Sequence, residues 1–124
     1  MDVAFVINPT ALDGLGATLV SMVRNCRCNS KLVLWFLCSN FESKHKDSIK
    51  RLLHGERFEG QLIFIDFDAR KRFGHLGSLH GDWTTYGRLL IPEYIDRDVV
   101  LYLDADLIIS VDILNLADFD LDTA

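Results

Sequence analysis

Four runs of consecutive apolar residues, at 3–7, 32–37, 62–67 and 99–103, punctuate the chain. Each has the length of a strand and none alternates cleanly with polar residues. An unbroken apolar run is what a strand covered on both faces requires, as in a parallel sheet. Between these runs the apolar spacing becomes helical. Leu15, Leu19, Met22 and Val23 recur at helical intervals over 15–26. Ile49, Leu52 and Leu53 do so over 46–54, with Lys44, Lys46, Lys50 and Arg51 on the wet side and Gly55 as a stop. A third helix is expected over 83–90, capped by Asp82 and ended by Pro92. Residues 68–80, rich in Lys, Arg, Gly and His, follow neither period and read as a functional loop. The order β-α-β-α-β-α-β predicts an α/β domain with a mostly parallel sheet and right-handed crossovers.

Composition narrows this picture. A chain of 124 residues fits one domain over 1–124, and 49% hydrophobic residues suffice for a core. A net charge of −5 argues against a general nucleic-acid binder, which needs a basic face, but leaves room for an anionic small ligand at a locally positive site. Cys26, Cys28 and Cys38 are an odd count without a C-x-x-C. Cys26 and Cys28 with His45 offer zinc-binding atoms, but the spacing matches no common structural site, and free thiols in the reducing cytoplasm are the better reading. No signal peptide is visible, and no apolar run approaches the ~20 residues of a membrane span.

In sheets of this kind ligands bind beyond the carboxyl ends of the strands, where the strand order reverses. The residues to inspect are therefore Asn8-Pro9-Thr10, Cys38-Ser39-Asn40, 66–68 and 104–106. The last apolar run ends in Asp104-Ala105-Asp106. In extended backbone, residues two apart point the same way, so both carboxylates can converge on a hard cation such as Mg2+ or Mn2+ that also holds substrate phosphates. The three-residue pattern alone is weak, since it recurs as Asp66-Phe67-Asp68 and as Asp118, Asp120 and Asp122. An EF-hand loop is excluded because its sixth position, counted from Asp104, is Ile109 where glycine is needed. Gly14 and Gly16 follow the first strand, but Leu19 occupies the third glycine position of a dinucleotide fingerprint, so a tight helix start is favoured over phosphate binding. Arg88 could reach a phosphate with its fork of donors or pair with Asp82 or Glu93.

The segments W-T-T-Y-G-R-L-L-I-P-E-Y-I and D-R-D-V-V-L-Y-L-D-A-D-L-I-I together resemble glycosyltransferase family 8. The opening M-D-V-A-F-V-I-N, the helix G-L-G-A-T-L-V-S-M-V-R-N and the closing L-N-L-A-D-F-D-L extend the resemblance in order along nearly the whole chain. It implies a Rossmann-like GT-A fold, truncated here to the N-terminal, nucleotide-sugar-binding half. It further implies a UDP-sugar donor, Mn2+ (or Mg2+), and transfer of a hexose to a saccharide or lipopolysaccharide-type acceptor with retention of configuration. Asp104 and Asp106 match the metal-binding aspartates, Ala105 the residue between them near the ribose, and Arg88 the arginine at the donor sugar. Asn8 and Thr10 fall where the family grips uridine, and His80 falls in the donor/acceptor cleft.

Two departures stand out. Ala11 replaces the aromatic that stacks on the base, and Asn8 replaces the usual carboxylate. Base stacking on an aromatic is worth ~1–3 kcal/mol in nucleic-acid systems, so nucleotide preference should be altered. The family's pattern continues past residue 124 with a metal-binding His and a Gly/Lys segment, which implies impaired turnover for this chain alone. Peripheral membrane association and self-association through the face left exposed are further expectations. A haloacid-dehalogenase-like phosphotransferase is the rival enzyme, although its D-x-D normally lies on the first strand and position 108 here is Ile. A non-catalytic nucleotide- or partner-binding fragment is the third reading.

Overall fold

A computed structural model describes residues 1–78 and 82–118. β1 (Asp2–Ile7), β2 (Val33–Ser39), β3 (Gln61–Phe67) and β4 (Leu101–Tyr102) form a parallel sheet in the order β3-β2-β1-β4. β1 pairs along its whole length with β2, from Asp2 opposite Val33 to Ile7 opposite Cys38. With β4 it shares only two positions, Val3 with Leu101 and Ala4 with Tyr102. The first two crossovers therefore step away from β1 on one side and the third returns to its other side, so the strand order reverses between β1 and β4.

The unbroken apolar runs have the cause expected of them. Alternate strand residues serve two separate cores. Val3, Phe5 and Ile7 with Leu34, Phe36 and Cys38 face α1 (Leu12–Arg24) and α2 (Ser43–Gly55), where Leu15, Leu19, Met22, Ile49 and Leu53 are buried. The rings of Phe5, Phe36 and Phe64 stack across three strands at centroid distances of 5.4 and 5.1 Å. Ala4, Trp35, Leu37 and Phe67 face the other way, against α3 (Ala69–Phe73), the 3-10 helix Thr84–Leu90 and α4 (Ile91–Tyr94). Full burial of such side chains contributes ~1.5–3 kcal/mol each, so both faces matter to stability.

Several local expectations change. The run at 99–103 predicts a five-residue strand, but pairing is confined to Leu101–Tyr102, because Val99 is exposed and the chain turns at Ala105–Asp106. Residues 68–80 are not all loop: Asp68 caps the short helix α3 by accepting from the Lys71 amide at 3.0 Å, and Phe73 is buried beneath it. The helix over 83–90 is a 3-10 helix, and Pro92 stands in the first turn of α4 instead of ending its predecessor. Proline suits that place because the first-turn amides have no helical partner to lose. Gly14 and Gly16 lie inside α1, as a helix start and not as a separate turn. Leu89, Val99, Ile108, Val111 and Leu116 are exposed, four of them on the stretch from Val99 onward. No helix among the described residues is long and apolar enough to cross a membrane.

Candidate functional site

The carboxyl ends of β1 and β4 flank the point where the strand order reverses. Asn8 follows β1 directly, and its side-chain amide donates to Asp82 Oδ2. The Thr10 hydroxyl donates to Asn8 Oδ1 at 2.6 Å. The second Asp82 oxygen accepts from the Trp83 amide (2.7 Å), the Thr84 amide (3.0 Å) and the Thr84 hydroxyl (2.8 Å), which starts the 3-10 helix. Burial alone would raise the Asp82 carboxyl, but the hydrogen bonds from Thr84, Asn8 and Trp83 outweigh it and hold the group below the ordinary aspartate range. Asn8 and Thr10 are thus brought together at the end of β1, tied to a residue far off in sequence. Asp82 was expected as a helix cap, and its bond to Asn8 has no sequence signal.

Asp104 stands two residues beyond β4, and Ala105 and Asp106 form a turn. A turn, not strand alternation, therefore sets the relation between the two carboxylates, both of which are exposed. Tyr102 is the last residue of β4. Burial first, then the charge of Asp104, push the Tyr102 phenol up, while the Arg88 guanidinium pulls it back. The phenol therefore lies within electrostatic reach of both groups. Arg88 is exposed beside Gly87, where a Cβ would come within 2.5 Å of Phe67 Cζ and 2.6 Å of Val6 Cγ1. Only glycine lets this helix lie directly on the sheet at this point.

The acidic turn is pressed against α1. A Cβ on Gly14 would stand 2.9 Å from the Ala105 carbonyl oxygen and 3.3 Å from Asp106 Cβ. One turn further, the buried Thr18 hydroxyl accepts from the Leu107 amide at 2.8 Å and lies 2.7 Å from the Leu107 carbonyl, to which it donates. Ser21 Oγ accepts from the Ile109 amide at 2.8 Å, and Asn25 Nδ2 donates to the Ile109 carbonyl at 2.8 Å. The signal for Thr18 was present: it is a polar residue three after Leu15 and four before Met22, inside the apolar stripe of α1.

The rival acidic pattern has structural employment. Asp66 pairs with Lys46 at 2.7 Å and Asp68 caps α3. Among the described residues no group of three His, Cys, Asp or Glu side chains gathers to hold a metal ion. The zinc option fails accordingly: His45 Nδ1 accepts from the Glu42 amide in a capping box, and the cysteines are free. The donor set at the turn is two exposed carboxylates, which suits Mg2+ or Mn2+ because those ions keep water and phosphate oxygens as their remaining ligands. His80 lies outside the described residues. A groove of about 290 Å³ between α1 and α2 is lined mainly by Leu12, Leu15, Leu19, Ile49 and Leu52 and holds none of the charged groups of the crevice.

The sequence model of glycosyl transferase family 8 matches residues 2–124. The glycosyltransferase GlyE of Streptococcus pneumoniae serotype 4 (strain ATCC BAA-334 / TIGR4) is 30% identical over 101 residues, covering 77% of this chain and 24% of GlyE. The structure of galactosyltransferase LgtC in complex with donor and acceptor sugar analogs superposes with a TM-score of 0.82 at 27% identity, over 98% of this chain and 43% of LgtC. An active-site mutant of LgtC gives a TM-score of 0.81 at 28% identity. The chain spans about a quarter of GlyE and under half of LgtC.

Proposed function

The chain belongs to glycosyl transferase family 8, and on that premise we propose that residues 1–124 are the nucleotide-sugar-binding half of a metal-dependent, retaining hexosyltransferase that uses a UDP-sugar. The observation that carries this reading is the place of the acidic turn, just beyond β4 where the strand order reverses, with Asp104 and Asp106 both exposed. The opposing effects of Asp104 and Arg88 on the Tyr102 phenol agree with it. A sugar-linked diphosphate needs cationic groups around its oxygens, and a crevice at a strand-order reversal is where such a ligand fits. The donor and acceptor analogs held by LgtC support a sugar-transfer role.

In this reading Asp104 and Asp106 are ligands and not nucleophiles. The bound ion would supply Lewis-acid stabilisation of the charge that develops on the leaving diphosphate. Arg88 orients the donor sugar and adds a fixed positive charge. Ala105 lends its backbone near the ribose, while Asn8 and Thr10 face the base. The acidic turn follows β4 and not β1, which counts against Asp104 as a phosphotransferase nucleophile.

Calorimetric titration of the chain with UDP and with UDP-sugars, with and without Mn2+, tests the proposal. Binding should require the ion and be lost in Asp104→Asn and in Asp106→Asn. Both side chains are exposed, so thermal stability should change by no more than about 0.5 kcal/mol. UDP binding that is indifferent to Mn2+, or that survives both substitutions, would remove the reading.

A further inference from the structure

The backbone that leaves the acidic turn has no strand partner among the described residues. Its polar groups at Leu107 and Ile109 are met instead by three side chains along one face of α1 and its end: Thr18, Ser21 and the C-cap residue Asn25. Thr18 is closest to the turn and makes the tightest arrangement, a single hydroxyl engaging both the amide and the carbonyl of Leu107, the residue after Asp106. Its oxygen also lies 3.1 Å from the Gly14 carbonyl. Gly14 itself has no room for a Cβ against the Ala105 carbonyl. The turn is thus bounded on its α1 side by a backbone contact at Gly14 and a two-bond anchor at Thr18. On its β4 side the Leu103 amide donates to the Ala4 carbonyl at 3.1 Å.

We propose that Thr18 is a positioning residue for the acidic turn: its hydroxyl, bonded to both backbone groups of Leu107, fixes where the Asp106 carboxylate stands relative to Asp104. This inference rests on the reading of Asp104 and Asp106 as ligands of a divalent ion. A polar partner that orients a ligand is comparable in effect to the ligand's own neighbours, whose loss commonly weakens metal affinity by ~10–100-fold. Thr18 acts through one peptide unit, so an effect near the lower end is expected.

The test is calorimetry of the whole chain with UDP and Mn2+, alongside thermal denaturation, for the wild type and four variants. Thr18→Val keeps the shape and removes the hydroxyl. Its Mn2+-dependent affinity for UDP should fall about tenfold. Thr18→Ser restores the hydroxyl and should recover affinity to within about twofold of wild type. Ser21→Ala cuts the next rung and should lower the melting temperature without weakening Mn2+-dependent binding. Gly14→Ala reads the same turn from its other boundary. Alanine favours the helix, while its Cβ must displace the Ala105 carbonyl, so metal-dependent affinity should fall even if the helix is strengthened. That variant decides the matter if Thr18→Val does not fold. Full Mn2+-dependent affinity in Thr18→Val, no rescue by Thr18→Ser, or an equal loss in Ser21→Ala would overturn the proposal while leaving the ligand reading intact. Wild-type chain that binds UDP without regard to Mn2+ would overturn both.

Discussion

Asn8 donates its side-chain amide to the carboxylate of Asp82, and so ties the end of β1 to the start of the 3-10 helix across 74 residues of sequence. The same carboxylate accepts from Trp83 and Thr84. Asp82→Ala removes a helix cap and leaves the Asn8 amide without its partner. The unfolding free energy should fall by about 1–3 kcal/mol, read from the midpoint and slope of urea denaturation. An unchanged midpoint would mean that these bonds merely replace equivalent bonds to water.

Acid should act on the same residue. The folded-state carboxyl of Asp82 lies below its unfolded value, so its contribution is complete above the unfolded pKa and is lost as pH falls through the folded one. Asp112, held down by the Arg27 and Leu114 amides, has the same sign. Stability should be level down to about pH 5 and decline below about pH 4. In Asp82→Asn the decline should be shallower. An acid limb of identical slope in that variant would assign the loss to other carboxylates.

Gly87→Ala should displace the 3-10 helix from Val6 and Phe67. A cost of about 1–3 kcal/mol is expected for such overpacking, seen as a lower melting temperature. Because Arg88 is the next residue, UDP-sugar affinity should fall with it. A variant of wild-type stability would indicate that Phe67 and Val6 make room.

The three thiols should separate by reactivity. Burial, then the charge of Asp66, push Cys38 up to about 12, against the opposing effect of Lys46. Cys26 is buried and also raised, chiefly by burial and then by its neighbour Asp112. Cys28 is exposed. Native chain should give one fast-reacting thiol with a chromogenic disulfide reagent at neutral pH and three after unfolding, because the thiolate is the reactive form. Three fast thiols in the native chain would contradict the burial of Cys26 and Cys38.

Three of the strands were legible as apolar runs because each sits between two covered faces. The run at 99–103 has the same composition, but Val99 stays exposed and the chain peels away after Tyr102, so composition could not set its length. α3 escaped detection because one cap, Asp68, and one buried ring, Phe73, define five residues, too few for a period to emerge. Asp104-Ala105-Asp106 and Arg88 stood out in the sequence as motifs. How near they stand to each other depends on how the 3-10 helix lies on the sheet, which no motif records. Thr18 stands out as a polar residue in the apolar stripe of α1, but its partner lies 89 residues away and that of Asp82 74 away, distances over which no local pattern carries information.

The side-chain ladder on α1 grips Leu107 and Ile109 only by their peptide groups, which every non-proline residue possesses. The shape of the segment after the acidic turn is therefore encoded elsewhere, at positions 18, 21 and 25. Libraries that randomise 107 and 109 among non-proline residues should preserve the path of the main chain more readily than libraries that randomise three helix positions, although the apolar contacts of Leu107 and Ile109 still count toward the core. For anyone redesigning this protein, the instructions for that loop are written on a helix.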